Sequence, residues 1–142
     1  MAETDRKRGP KPRDPAPSPA ALVDNIPPPP DLDAEGKKHW KEVTARLADA
    51  GFLADLDADA LHLYCSLWSQ RVAALKEVKT KGTVIKAPNG YMMANPWYTI
   101  AVQCQKDMRP YLDMFGMSPK SRSKLGRVQD QEAESDEFAE FD

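Results

Sequence analysis

Gly82, the Asn89-Gly90 pair and the Asn95-Pro96 pair punctuate one stretch, GTVIKAPNGYMMANPWY at residues 82–98, and they dictate the elements around it. A long helical pattern ends at Gly82 and a second begins at Asn95-Pro96. Between them lie two short extended runs, Thr83–Lys86 and Tyr91–Met93, joined by Ala87-Pro88-Asn89-Gly90. Asn-Gly accepts the positive φ of a tight hairpin turn, and Pro88 presets the entry to it. Asn95 is a good N-cap, and Pro96 suits the first helical position, where its missing N–H would have no partner. The stretch predicts a helix, a β-hairpin over residues 83–93 and a second helix.

The flanks limit what else can fold. Residues 1–30 hold nine of the 13 prolines and no periodic apolar pattern, and from Gln129 onward the chain is acidic and again aperiodic. Of 142 residues, this leaves 31–127 for one modest core, a size at which oligomerisation helps stability. The expected fold is mainly α: a small domain of three main helices with a short β-hairpin between the second and third. A disordered basic, Pro-rich arm at 1–30 precedes it and a disordered acidic tail at 128–142 follows it, with Pro27–Pro30 as a polyproline spacer.

The first helix is expected from Asp31 or Asp33 to about Ala50, with an aspartate cap, Gly51 as its stop and Trp40, Val43 and Leu47 as its buried stripe. His39, next to Trp40, reads as a surface residue. Asp55, Asp57 and Asp59 suit the start of a second helix running to about Lys81. Its apolar positions, among them Leu61, Leu63, Tyr64, Leu67, Trp68 and Val72, cover about half its circumference, wider than one packing partner requires. A neighbouring subunit is the natural second partner, with Leu63, Leu67 and Arg71 as candidate contacts. Arg71 either lays its stem on apolar surface or pairs with a neighbour's carboxylate. The third helix carries Trp97, Ile100, Ala101, Cys104, Met108, Tyr111, Leu112 and Phe115 on one face. Pro110 predicts a kink or break on the other, and Gly116 a stop. Ser118-Pro119 then opens one or two basic turns.

Net charge is −2, but its distribution is uneven. Residues 1–13 carry five bases against Glu3 and Asp5, residues 76–127 carry 10 bases against three acids, and residues 129–142 carry seven acids and no base. That layout suits either an adaptor touching unlike partners or plain solubility. An arm of Arg6–Arg13 interleaved with Gly and Pro can follow phosphates or lie in a minor groove. Phe138 and Phe141, spaced i, i+3 in the acidic tail, either dock into a groove or are incidental.

Catalytic chemistry is missing. The sequence has no G-x-x-x-x-G-K-[ST], no dinucleotide glycine pattern and no G-x-S-x-G. His62 and Cys65 stand at ligand spacing but have no second pair nearby, so no metal or cofactor is expected, and Cys65 and Cys104 read as small hydrophobes. With no apolar run of about 18 residues, no membrane partner is expected, and the cytoplasm is the default setting.

The order of signals resembles a known family. Trp40 in a lysine-rich helix, Gly51-Phe52-Leu53 before aspartates, and Leu61-x-x-Tyr64-Cys65 come first. Pro88-Asn89-Gly90-Tyr91, Asn95-Pro96, Phe115-Gly116-Met117-Ser118-Pro119 and Ser121-Arg122-x-Lys124-Leu125 follow. Over residues 27–127 this resembles the small subunit of a tailed-bacteriophage terminase, in the branch with a basic Pro-rich leader and a P-N-G-Y…N-P core; Pro110 departs from that branch's uninterrupted helix.

The resemblance implies a non-catalytic, ring-forming protein that recognises double-stranded viral DNA in the infected bacterial host's cytoplasm. It would deliver that DNA to the large terminase subunit, which holds the ATPase and nuclease. On that basis Arg6, Lys7, Arg8, Lys11 and Arg13, with Lys120, Arg122, Lys124 and Arg127, are candidate DNA-phosphate contacts. The late set could equally rim a ring or hold a neighbour's acidic tail. Phe138 and Phe141 become candidates for docking on the large subunit. Tyr91, Met92 and Met93 either reach a neighbouring subunit or fold onto their own helices. The alternative reading is a transcriptional regulator with a helix-turn-helix at the first two helices, and a third is a purely structural phage protein.

Overall fold

The structure, a computed structural model, describes residues 20–124. Helix α1 spans Ala34–Asp49, a 3₁₀ turn covers Asp55–Asp57, and α2 spans Ala58–Lys81. Strands β1 (Val84–Lys86) and β2 (Met92–Ala94) follow, and α3 runs Pro96–Met114. Residues 119–124 add a short helical turn. The mainly helical fold with a hairpin between its second and third helices is the one the punctuation predicts.

Each helix starts and stops where its chemistry requires. Asp33 caps α1, its carboxylate accepting from the Gly36 N–H at 2.7 Å. At the other end Gly51 adopts φ +73°, its N–H donates to Ala48 O, and the Phe52 N–H donates to Leu47 O at 2.9 Å. That pair of bonds is the Schellman motif. Helix α3 ends the same way: Gly116 at φ +69° donates to Asp113 O, and Met117 donates to Leu112 O at 2.8 Å. Pro110 does not break α3. Its ring projects from the exposed side, where the missing N–H costs least.

Helix α1 packs back against the first half of α2. The Ser69 hydroxyl donates to Asp33, and Gly36, itself buried, brings α1 close to the Cys65 carbonyl. Trp40, Val43 and Leu47 interlock with Leu61, Tyr64, Cys65, Met108 and Phe115 in the core. Helix α3 packs antiparallel along α2. The hairpin pairs Val84 with Ala94, Ile85 with Met93 and Lys86 with Met92. Its turn is closed by Gly90 N–H to Ala87 O at 2.8 Å, with Gly90 at φ +86°.

Two expectations need correction. The arm assigned to residues 1–30 ends earlier, because the described part of it docks on the core. Val23 N–H donates to Leu53 O, the buried Trp40 indole donates to Ile26 O at 2.8 Å, and Ile26 and Leu32 are themselves buried. A buried indole N–H needs an acceptor, and this otherwise aperiodic segment supplies one. His39 is also not at the surface. It is buried and stacks on Trp68, with ring centroids 3.9 Å apart and 6° between planes. The aromatic residues of α2 widen the contact beyond the Trp40 stripe.

Candidate assembly interface and nucleic-acid contacts

The end of α2, the hairpin and the start of α3 project past α1 as a two-helix arm tipped by a ribbon. Small buried residues, Ala74, Ala101 and Cys104, let the two helices approach closely. Asn95 fastens the base of the ribbon. It is 1% exposed, its side-chain N–H donates to Gly82 O at 2.7 Å, its Oδ1 accepts from Trp97 N–H at 3.0 Å, and its backbone N–H donates to Thr83 O. Every polar group of this buried side chain is thereby engaged on both helix ends.

This arm leaves its large apolar side chains uncovered. Tyr91 is 70% exposed, Met92 59% and Met93 40%. These hairpin side chains are therefore uncovered within the single chain. Val84, Trp97, Tyr98 and Ile100 are exposed with them. Trp97 and Ile100 lie on the predicted apolar face of α3, but α1 does not reach that far, and α2 alone covers only the seam. A two-stranded ribbon is marginal in water by itself, and this many large apolar side chains left exposed on one arm point to an interaction surface.

The other candidate contacts lie apart from the arm, on opposite sides of the α2–α3 seam. Leu63 is exposed and Leu67 half-buried. They line a groove of ≈ 600 Å³ with Pro110, Tyr111 and Met114. Arg71 faces the other way and is engaged within its own chain: its guanidinium lies 5.8 Å from the Trp68 ring centroid. With the Gln105 amide oriented oxygen-inward, Arg71 also donates two bonds to it at 3.1 Å.

Lys120, Arg122 and Lys124 are exposed on the turn after α3, at the end of the molecule opposite the hairpin. Ser118 and Ser121 hold that turn by reciprocal bonds, Ser121 N–H to Ser118 Oγ at 3.2 Å and Ser118 N–H to Ser121 Oγ at 3.3 Å. This is a capping box with serine in the place of the usual glutamate. Arg6, Lys7, Arg8, Lys11, Arg13, Arg127, Phe138 and Phe141 lie outside the described residues.

Both thiols are buried, and burial pushes the Cys65 thiol up to about 12, so it packs as a small hydrophobe. His62 Nε2 faces the Asp31 carboxylate at 3.0 Å. Among the described residues no group of three or more His, Cys, Asp or Glu side chains could hold a metal ion, and no helix is long and apolar enough to cross a membrane.

Neither the curated proteins nor the solved structures contain a match to this chain. A family profile does match, over residues 36–132, and its description is phage terminase, small subunit. The match takes in α1 from Gly36 onward, α2, the hairpin, α3 and the basic turn. The chain belongs to the phage terminase small-subunit family, and its role lies in genome packaging.

Proposed function

We propose that the protein is the non-catalytic partner of a packaging machine. It assembles into a ring through the apolar arm, recognises viral DNA in the cytoplasm of the infected host, and delivers it to the large subunit bearing the ATPase and nuclease. The observation that carries this is the exposed cluster at the hairpin, Tyr91, Met92 and Met93 with Val84, Trp97 and Tyr98, on a chain of this family. These side chains are 40–70% exposed, so burying what remains stabilises association by about 1–2 kcal/mol each before the cost of ordering them. A ring also multiplies weak phosphate contacts by avidity.

In this proposal Lys120, Arg122 and Lys124 face phosphates together with Arg127 and the basic residues Arg6, Lys7, Arg8, Lys11 and Arg13. Phe138 and Phe141 engage the large subunit. A helix-turn-helix regulator has less support. Helix α2 would be its reading helix, yet Leu61, Tyr64 and Cys65 are buried against α1 and α3, and a groove-reading helix needs exposed Arg, Asn or Gln.

Sedimentation of the full chain with duplex DNA, with the large subunit and with both tests the proposal. A complex of all three is expected. Binding to DNA while the large subunit sediments alone would support the regulator instead.

A further inference from the structure

A second apolar groove lies at the opposite end of the molecule from the hairpin, where α1 and α3 terminate side by side. Its walls are Phe52 and Met117, the residues that follow Gly51 and Gly116 in the two Schellman turns. Its floor is Leu47 and Phe115, and Arg46 and Arg122 stand at its rim. The groove measures ≈ 290 Å³. Neither arginine makes an ion pair among the described residues. Two helix C-termini converge here with about −0.5 charge each, and Asp49 and Asp113 lie on them. Arg46 and Arg122 are nevertheless the charged residues that line the groove itself, and no acidic side chain among the described residues lines it.

We propose that this groove seats the protein's own acidic tail, with the Phe138 and Phe141 rings on the apolar floor and the flanking carboxylates on Arg46 and Arg122. The chain leaves the described structure at Lys124, two residues after a residue that lines the groove. The residues from there to Phe138 reach roughly 45 Å when extended, ample to fold back. The sequence EAESDEFAEFD supplies what the groove lacks: two aromatic rings among six carboxylates, with no base to repel the arginines. A tether of this length gives an effective concentration on the order of millimolar, so a weak seat is occupied by its own tail before another molecule's. The seat and the large subunit would compete for the same two rings. The seated carboxylates would also lie beside Lys120 and Lys124, where DNA phosphates are proposed to bind. The seat itself does not depend on either of those proposals.

A nitroxide attached at Ala139→Cys in the full chain tests the seat, since Cys65 and Cys104 are buried. Broadening of Met117, Phe52 and Phe115 resonances is expected. It should be lost in Phe138→Ser with Phe141→Ser, and again in Arg46→Glu, with the rest of the spectrum retained. Unbroadened groove resonances would overturn the proposal. So would broadening that appears only when labelled and isotope-enriched molecules are mixed, because that assigns the seat to a neighbour's tail.

Discussion

The Asn95 side-chain N–H donates to the Gly82 carbonyl at 2.7 Å, tying the last residue before α3 to the first residue after α2. One buried amide thus closes the base of the hairpin and caps α3 at once. Asn95→Asp keeps the cap, since Asp and Asn are equivalent there, but turns a donor toward Gly82 O into an acceptor. Asn95→Ala loses both. Asn95→Asp should therefore cost about 2 kcal/mol or more by chemical denaturation, as much as Asn95→Ala, because it sets a carboxylate oxygen at a buried position against the Gly82 carbonyl oxygen with no proton between them. A cost within about 0.5 kcal/mol, the scatter of ordinary surface substitutions, would show that the Gly82 link contributes little.

The His39 ring predicts a pH dependence. Burial lowers its pKa from 6.5, with Arg46 adding to the shift and Glu42, 3.9 Å from Nδ1, opposing it. Neither ring nitrogen has a hydrogen-bond partner among the described residues. Because the folded pKa is depressed, the unfolded chain binds the proton more readily below about 6.5. Stability should be complete above that pH and fall as pH drops toward the folded pKa, at up to about 1.4 kcal/mol per pH unit. Denaturation midpoints between pH 7.5 and 5 should fall less steeply for His39→Phe, which keeps the stack on Trp68. Equal slopes for variant and wild type would mean that His39 is already solvated in the folded state.

Boundaries were legible in the sequence wherever a residue's own backbone demand set them. Gly51, Gly82 and Gly116 stop helices because each takes a positive φ, and Asn95-Pro96 starts one by capping. What depended on distant partners was not legible. Ile26 sits in a proline-rich run with no period, and only the Trp40 indole, 14 residues on, makes it part of the core. The burial of His39 depends on Trp68 in another helix. Periodicity marked Trp97 and Ile100 as an apolar face but carried no information on what covers it. The candidate interface was half visible for the same reason. Tyr91, Met92 and Met93 follow from the hairpin, while the exposure of Val84, Trp97, Tyr98 and Ile100 shows only in the folded chain.

Nucleic-acid contact should show as salt dependence. Each neutralised phosphate contributes about 0.9 to the slope of log K against log salt. Lys120→Ala with Lys124→Ala should weaken duplex binding measured by anisotropy and flatten that slope by roughly 2. Deletion of residues 1–13 should flatten it separately. A slope unchanged by either alteration would remove those residues from the DNA contact.

Assembly through the hairpin arm is the central claim, and light scattering of the full chain at tens of micromolar tests it most directly. Wild-type protein should give one closed species several times the 15.8 kDa of a single chain. Tyr91 and Met93 are 70% and 40% exposed, so Tyr91→Ser with Met93→Ser removes about 1.5–3 kcal/mol of apolar burial per contact, roughly 10- to 100-fold in affinity. That variant should fall to lower mass with its helical circular dichroism intact. A monomeric wild type, or a variant that assembles as well as wild type, would contradict the account.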